Sequence, residues 1–291
     1  MLFVPALDQW LANAPSIPAA LQRWLSLGAE ETFLSDAYLA ELVLDKAIAP
    51  AALNAWIDGI TPGQGTLIQI DLVSLQPDLN AVWAQPSAAL ADDQTCTALH
   101  ALFADFGFSL EQASGGRMYV LCPQAPQVVF TPLWQIQGVS IDQLMPSGPD
   151  AKRWIGLISE SQILLHQLKA QGATTAGDSI WPWGMGEVPE HGPPAPRLHS
   201  MRTTSPEFQE LGDWLRLPVV GPEGEPCLSA GELVEWRGQT HCSAHENLIN
   251  LNAMLKSLMR RLRWGRLKRV ELATQTSRWV LTPAQLWKGL S

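Results

Sequence analysis

The sequence predicts an α/β or α+β protein: a mixed sheet flanked by helices, with a helical segment at its N-terminal end. Three observations predict it. Stretches with apolar residues at three- and four-residue spacing interchange with short stretches of period two. No internal repeat marks a solenoid or an array. At 291 residues, 46% hydrophobic and 16% charged, the chain can bury a sizeable core and is too apolar for disorder throughout.

Residues 1–62 read as helical. Apolar residues recur at helical spacing over Pro5–Leu27 and Ser35–Ile60, with breaks at Pro15, Pro18, Gly28 and Pro50. Gly63 and Gly65 mark a turn into a strand, Thr66–Leu75, where Ile68, Ile70 and Leu72 alternate with their neighbours. Asp92 and Asp93 can cap a helix to Phe106 with Leu99, Leu102, Phe103 and Phe106 inward. Ser114–Gly116 is a turn, Arg117–Cys122 a strand and Val128–Phe130 a further short strand. Asp150 is placed to cap the helix 151–169, whose buried stripe is Trp154, Leu157, Ile158, Ser161, Leu164, Leu165 and Leu168. Ser179–Trp183 reads as a Trp-rich strand, with Trp181 and Trp183 on one face against that helix and near Trp154.

Four prolines in EVPEHGPPAPRLH, 187–199, make a linker or loop. Pro206–Arg216 reads as a short helix and Val219–Glu225 as a turn. Asn247–Arg263 is a strong helix that ends at Trp264–Gly265 through a left-handed glycine. Leu267–Ala273 and Ser277–Leu281 form a hairpin, and Thr282–Pro283 starts a last helix to Leu290. The organisation expected is a helical segment 1–62, an α/β core 63–186, the loop 187–199, and a part 200–291 that completes the core.

Net charge is −9 but uneven. From Lys256 to Ser291 nine Lys or Arg accompany one acid, Glu271, giving +8; the first 255 residues hold ten bases and 27 acids, giving −17. Such asymmetry marks an interaction surface or an internal pairing of opposite fields. Cys96, Cys122, Cys227 and Cys242 have no CxxC spacing, which excludes zinc ribbons and thioredoxin-like sites and fits a reduced cytoplasm. No run approaches 18 apolar residues, and the N-terminal stretch lacks the basic start of a signal peptide, so a cytoplasmic location without membrane contact is expected. Thirteen Trp against two Tyr point to large anchors in cores or interfaces.

The stretches TPL at 131–133, PSGPDA at 146–151, RW at 153–154, ESQILLH at 160–166 and DSIWPWGMG at 178–186 together resemble the RpfE-type regulatory proteins, often labelled cofactor-independent phosphoglycerate mutases. DLVSLQPD at 71–78 is similar to that family's D-P-V-H-L motif, with Ser74 where the family has His; after His166 the family's P-V-N-x-A-R run is replaced by QLKAQ. The resemblance implies an alkaline-phosphatase-like α/β core. The mutase label further implies two metal ions held by Asp and His, Mn or Zn if the protein is an enzyme, and a Ser that takes up phosphate. The sequence contains no Asp-His dipeptide and no Asp-x-x-x-His. His241 and His245 alone have ligand-like spacing, with Glu246 beside them, and no metal or other cofactor is expected.

Glu160, Gln162 and His166 are candidates for ligand or partner contact, or for hydrogen bonds to backbone in a helix-to-strand packing motif. Trp181, Trp183, Gly184 and Gly186 could complete a pocket, and the two glycines could cradle an anion or make a tight turn. Arg260, Arg261, Arg263, Arg266, Lys268 and Arg269, with Trp264, Trp279 and Trp287, have the composition of a phosphate-contacting patch with stacking aromatics. Pairing with the acidic body is the reading favoured here, because a −17 body repels a polyanion. The function expected is that of a non-catalytic regulatory or interaction protein on a degenerate mutase-like scaffold, with another protein as partner. A metal-dependent phosphomutase or phosphohydrolase with an atypical site, and a nucleic-acid accessory protein, are the alternatives.

Overall fold

The computed structural model describes residues 1–33, 37–60, 63–79, 81–87, 89–136, 139–190, 192, 194–221 and 229–288. The chain starts with β1 (Leu2–Phe3), α1 (Leu7–Asn13), α2 (Ala19–Leu27), β2 (Ala29–Thr32) and α3 (Tyr38–Leu44). The middle holds α4 (Pro50–Ile57), β3 (Thr66–Pro77), β4 (Val82–Pro86), α5 (Asp93–Asp105), β5 (Leu110–Gln112), β6 (Met118–Cys122), α6 (Ala151–Ala170) and β7 (Ser179–Glu187). Then follow β8 (Ser200–Arg202), α7 (Pro206–Leu215), β9 (Val219–Val220), β10 (Glu232–Glu235), α8 (Ala244–Arg263), β11 (Val270–Ala273), β12 (Ser277–Leu281) and α9 (Pro283–Lys288). The class is mixed α/β, as the sequence predicts.

Two units form, one from Met1–Ala47 with Pro194–Ser291 and one from Ile48–Pro193. The boundaries differ from those expected. The segment 1–62 contains two strands besides its helices, and its last residues belong to the middle unit. The C-terminal part builds a core with residues 1–47 instead of completing the core of 63–186. The cause is long-range pairing: β1 lies parallel between β10 and β11.

In the first unit the strand order is β2-β12-β11-β1-β10-β8-β9, parallel from β11 to β9 and antiparallel at the β12 and β2 edge. Alternation puts Leu2 and Val4 on one face and Phe3 on the other. The first face packs on α1, α2 and α8 through Trp10, Trp24, Leu251 and Leu255. On the second, Phe3 stacks on Tyr38 of α3 at 5.9 Å and meets the edge of Phe208 of α7 at 5.2 Å. A sheet covered on both sides accounts for its apolar strands. α8 begins at a capping box, Ser243 with Glu246, three residues ahead of the predicted start.

In the second unit β3 pairs antiparallel with β7, β6 and β4, and β5 extends β6. Ile68, Ile70, Leu72 and Ile180 face α5 and α6, where Trp154 stacks on Phe108 at 4.6 Å and meets the edge of Phe130 at 5.0 Å. Leu67, Gln69, Asp71, Val73, Trp181 and Trp183 take the opposite face, partly under α4. This corrects the expected placement of the tryptophans: α6 covers the Ile180 face of β7, so Trp154 and Trp181 lie in different clusters.

Other expectations change in detail. Asp92 does cap α5, accepting from the Thr95 amide at 2.8 Å. Asp150 makes no capping bond to α6; its carboxylate accepts from the Gln127 amide at 2.7 Å and ties down the loop before the helix. Of the strand at 128–130 only a bridge between Val129 and Ser147 forms. Val219–Val220 pairs as a strand where a turn was expected, and 222–225 lie outside the described residues, as do His191 and Cys227. Among the described residues no helix is long and apolar enough to cross a membrane.

Trp154 is 1% exposed. Trp154→Ala is therefore expected to lower stability by about 3–5 kcal/mol in chemical denaturation; a loss below about 1 kcal/mol would show that the α6 stripe is not core there.

Candidate functional site

The helix candidates and the strand candidates separate. Glu160 and His166 are exposed on α6, and Gln162 is half-buried with its amide 3.4 Å from the Ser179 hydroxyl. The residue that ties α6 to β7 is Ser161, whose buried hydroxyl donates to the Ile158 carbonyl and accepts from the Ile180 amide at 3.2 Å. Trp181 donates its indole N–H to the Thr131 carbonyl at 2.9 Å, and Trp183 donates to Asp71. One sheet thickness divides the two halves, so these seven residues do not line one pocket.

Gly184 and Gly186 serve a close approach of chain to chain. β7 carries a bulge between its Leu67 and Gln69 pairings, with Gly184 at φ +66°. A Cβ on Gly184 would stand 3.1 Å from the Ala51 amide nitrogen, and one on Gly186 only 2.2 Å from the Ala49 Cβ. The start of α4 fills the space an anion would need.

Sequence reasoning missed a polar network on this face. Asn54 of α4 donates to Gln69 at 2.7 Å, and Gln69 donates to Asp71 at 2.7 Å. Beside it Asp58 takes a fork from Arg117 at 3.0 and 2.7 Å and a bond from the Tyr119 hydroxyl at 2.5 Å. Burial pushes the Asp71 carboxyl up, against the pull of Trp183 and Gln69. Burial, helped by the bond to Asp58, pushes the Tyr119 phenol far above its ordinary value. Pairing on β3 passes from β6, ending at Ile70, to β4, starting at Val73. A cavity of about 150 Å³ at that junction is lined by Asp71, Arg117, Gln112, Cys96 and Ser87. A larger cleft of about 410 Å³ borders Phe108, Cys122, Asp150, Arg153 and Trp154, with the Arg153 guanidinium 4.0 Å over the Phe108 ring.

The first unit holds a second missed cluster. The helix after β10, α8, lies on the Leu2 face, and the helix after β8, α7, lies on the Phe3 face. Neighbouring parallel strands whose chains leave to opposite faces make a switch point, the usual place for ligands in such sheets. There Glu235 accepts from the Thr203 hydroxyl, from the Thr204 and Ser205 amides at 3.2 Å, and from the Ser205 hydroxyl and Arg237 at 2.7 Å. Burial acts to raise the Glu235 carboxyl, but these bonds outweigh it and hold it below its ordinary value. The signal in the sequence was an acid closing an apolar run, ELVE, and the TTSPE helix start.

The basic candidates face water. Arg260, Arg263, Arg266 and Lys268 are exposed and make no ion pair among the described residues. Arg269 pairs with Glu271 at 2.9 Å, and Arg261 is half-buried with a partner of its own. Glu271 also takes a fork from Arg197, both contacts at 3.0 Å. Among the described residues those four cations lack the acidic counterpart that the sequence favours for this segment. Trp264 is 77% exposed and Trp287 54%, with the Arg263 guanidinium 5.1 Å over the Trp287 ring. Trp279, in contrast, is core.

Among the described residues no group of three or more His, Cys, Asp or Glu could hold either of the two metal ions that the resemblance implies. Glu246, beside His241 and His245, is engaged by Ser243 in the capping box. No family model matches the chain, and no curated protein matches it. Solved structures similar to it include the cofactor-independent phosphoglycerate mutase from Thermoplasma acidophilum DSM 1728, at 12% identity and a TM-score of 0.34 over 97% of this chain and 89% of that one. The PH0037 protein from Pyrococcus horikoshii is similar at 8% identity and a TM-score of 0.35, over 97% and 86%. Likeness at this level transfers no activity, substrate or metal.

Two outcomes are expected from this geometry. Gly186→Ala should cost about 1–3 kcal/mol in urea denaturation, because the added methyl meets Ala49; no measurable loss would show that α4 yields freely. Glu235, with its folded value depressed, contributes stability that is present above the ordinary value of 4.5 and is lost as pH falls through the folded value. Glu235→Gln should therefore cost about 1.5–3 kcal/mol near neutral pH and progressively less in acid. A penalty that stays flat with pH would show that the charge is not what Thr203, Ser205 and Arg237 hold.

Proposed function

We propose that this protein works by binding, as a regulatory or interaction protein, with the basic end of α8 as its contact surface. The observation that carries the reading is the set of four exposed cations without ion-pair partners among the described residues, grouped with two exposed tryptophans. Mutual repulsion and exposed indole surface are costs that a partner would relieve. Its regulatory character is the one the sequence resemblance implies.

The state of the switch point supports the same reading. A catalytic carboxylate needs a lone pair or a proton to offer the substrate. Glu235 is taken up by Thr203, Ser205 and Arg237, and the described residues supply no ligand set for a metal-dependent phosphomutase or phosphohydrolase.

Metal analysis and a coupled mutase assay on the purified protein test this. The expected result is substoichiometric Mn and Zn and no conversion of phosphoglycerate with Mn2+ or Mg2+. About two metal ions per chain, with turnover above about 1 s⁻¹ that EDTA abolishes, would overturn the reading in favour of an enzyme.

A further inference from the structure

We propose that the basic end of α8 binds single-stranded nucleic acid; the inference rests on the binding reading above and names its partner. α8 buries Leu248, Leu251, Leu255, Leu258 and Leu262. Another stripe, at spacings of three and four, runs through Ile249, Ala253, Lys256, Arg260 and Arg263 and ends beside Trp264, and every one of these residues is exposed. The chain then turns under backbone control. Gly265, at φ +68°, donates to the Leu262 carbonyl, and the Arg266 amide donates to the Arg261 carbonyl at 2.9 Å. That turn presents Trp264, Arg266 and Lys268 beside the end of the stripe.

Basic residues in the last turn of a helix favour its negative end, which explains part of their placement. It does not explain a Trp left 77% exposed among them. Cations that follow a backbone of phosphates, with indoles on which bases stack, are the chemistry of single-strand binding. Arg263 over Trp287 already shows a guanidinium on one face of an indole. A base can take the corresponding place on an exposed ring. A duplex keeps its bases stacked and offers these indoles no face, whereas an acidic peptide pairs with the cations and leaves the rings without a stacking partner. The acidic body is no bar at short range, since its field is screened within about 8 Å at physiological salt.

The experiment is a fluorescence anisotropy titration of the full chain with labelled 20-mers of thymidine and of uridine at about 0.15 M salt. Expected is a Kd tighter than about 10 μM for at least one of them, within or below the usual non-specific range, and a log–log salt slope near −3 for four phosphate contacts. The two oligomers separate DNA from RNA as the source. Trp264→Ala should weaken binding roughly 5- to 100-fold through lost stacking, and Arg260→Glu with Arg263→Glu more than about 10-fold through lost and reversed charge; both sets of positions are solvent-facing, and far-UV circular dichroism checks the fold. A Kd above about 100 μM for both oligomers, or binding that Trp264→Ala leaves unchanged, overturns the proposal. Tighter binding of polyglutamate than of either oligomer overturns it too, while leaving the binding reading intact. Metal-dependent turnover, measured separately, is what would remove that reading.

Discussion

The first unit depends on a strand of two residues. Leu2 and Phe3 hydrogen-bond in parallel to β10 on one side and β11 on the other, with Val234 and Trp236 amides donating to the Met1 and Phe3 carbonyls. Leu2 and Val4 are fully buried under α1, α2 and α8, while Phe3 is clamped between Tyr38 and Phe208. Opposite faces of one short segment thus hold both helical layers. A slip of one residue would exchange them, placing a phenyl ring in a space shaped for aliphatic side chains. The Arg197 fork on Glu271, with the Arg197 Nε–H on the Leu42 carbonyl, fastens the returning chain to the same sheet and to α3.

Charge inside each unit is matched to hydrogen bonds. Asp58 has Arg117 and Tyr119, Glu235 has two hydroxyls, two amides and Arg237, and Glu271 has Arg197 and Arg269. A carboxylate so enclosed lends rigidity and offers little to a substrate. The contrast with Arg260, Arg263, Arg266 and Lys268 is the reason to look for function at the surface. Glu271, the one acid in the basic segment, is buried between Arg197 and Arg269, so it offsets Arg269 and not Arg260, Arg263, Arg266 or Lys268.

Long amphipathic helices were legible: α6 buries the stripe that its spacing predicts except Leu164, which is half-buried, and Gly265 ends α8 as a left-handed cap. The strands that complete the sheets were not. β1, β8 and β10 span two to four residues, too short for period two to register, and are strands because of partners far along the chain. The glycines of β7 were visible, but their reason was not: Ala49 and Pro50 press on them from an element far earlier in the sequence. The basic segment was legible as composition. Its orientation toward water was not, because whether −17 and +8 meet is a matter of tertiary placement.

The discontinuous first unit also bears on how the chain comes off the ribosome. Residues 48–193 are continuous, and domains generally fold as units from the N-terminal side as they emerge. That block can close while β8, β10 and β11 are still unmade. Until then Leu2, Val4, Leu21 and Trp24, fully buried in the finished protein, have no sheet to join. For that interval residues 1–47 carry apolar side chains whose sheet partners have yet to be made, an arm held in waiting across the synthesis of a whole intervening unit.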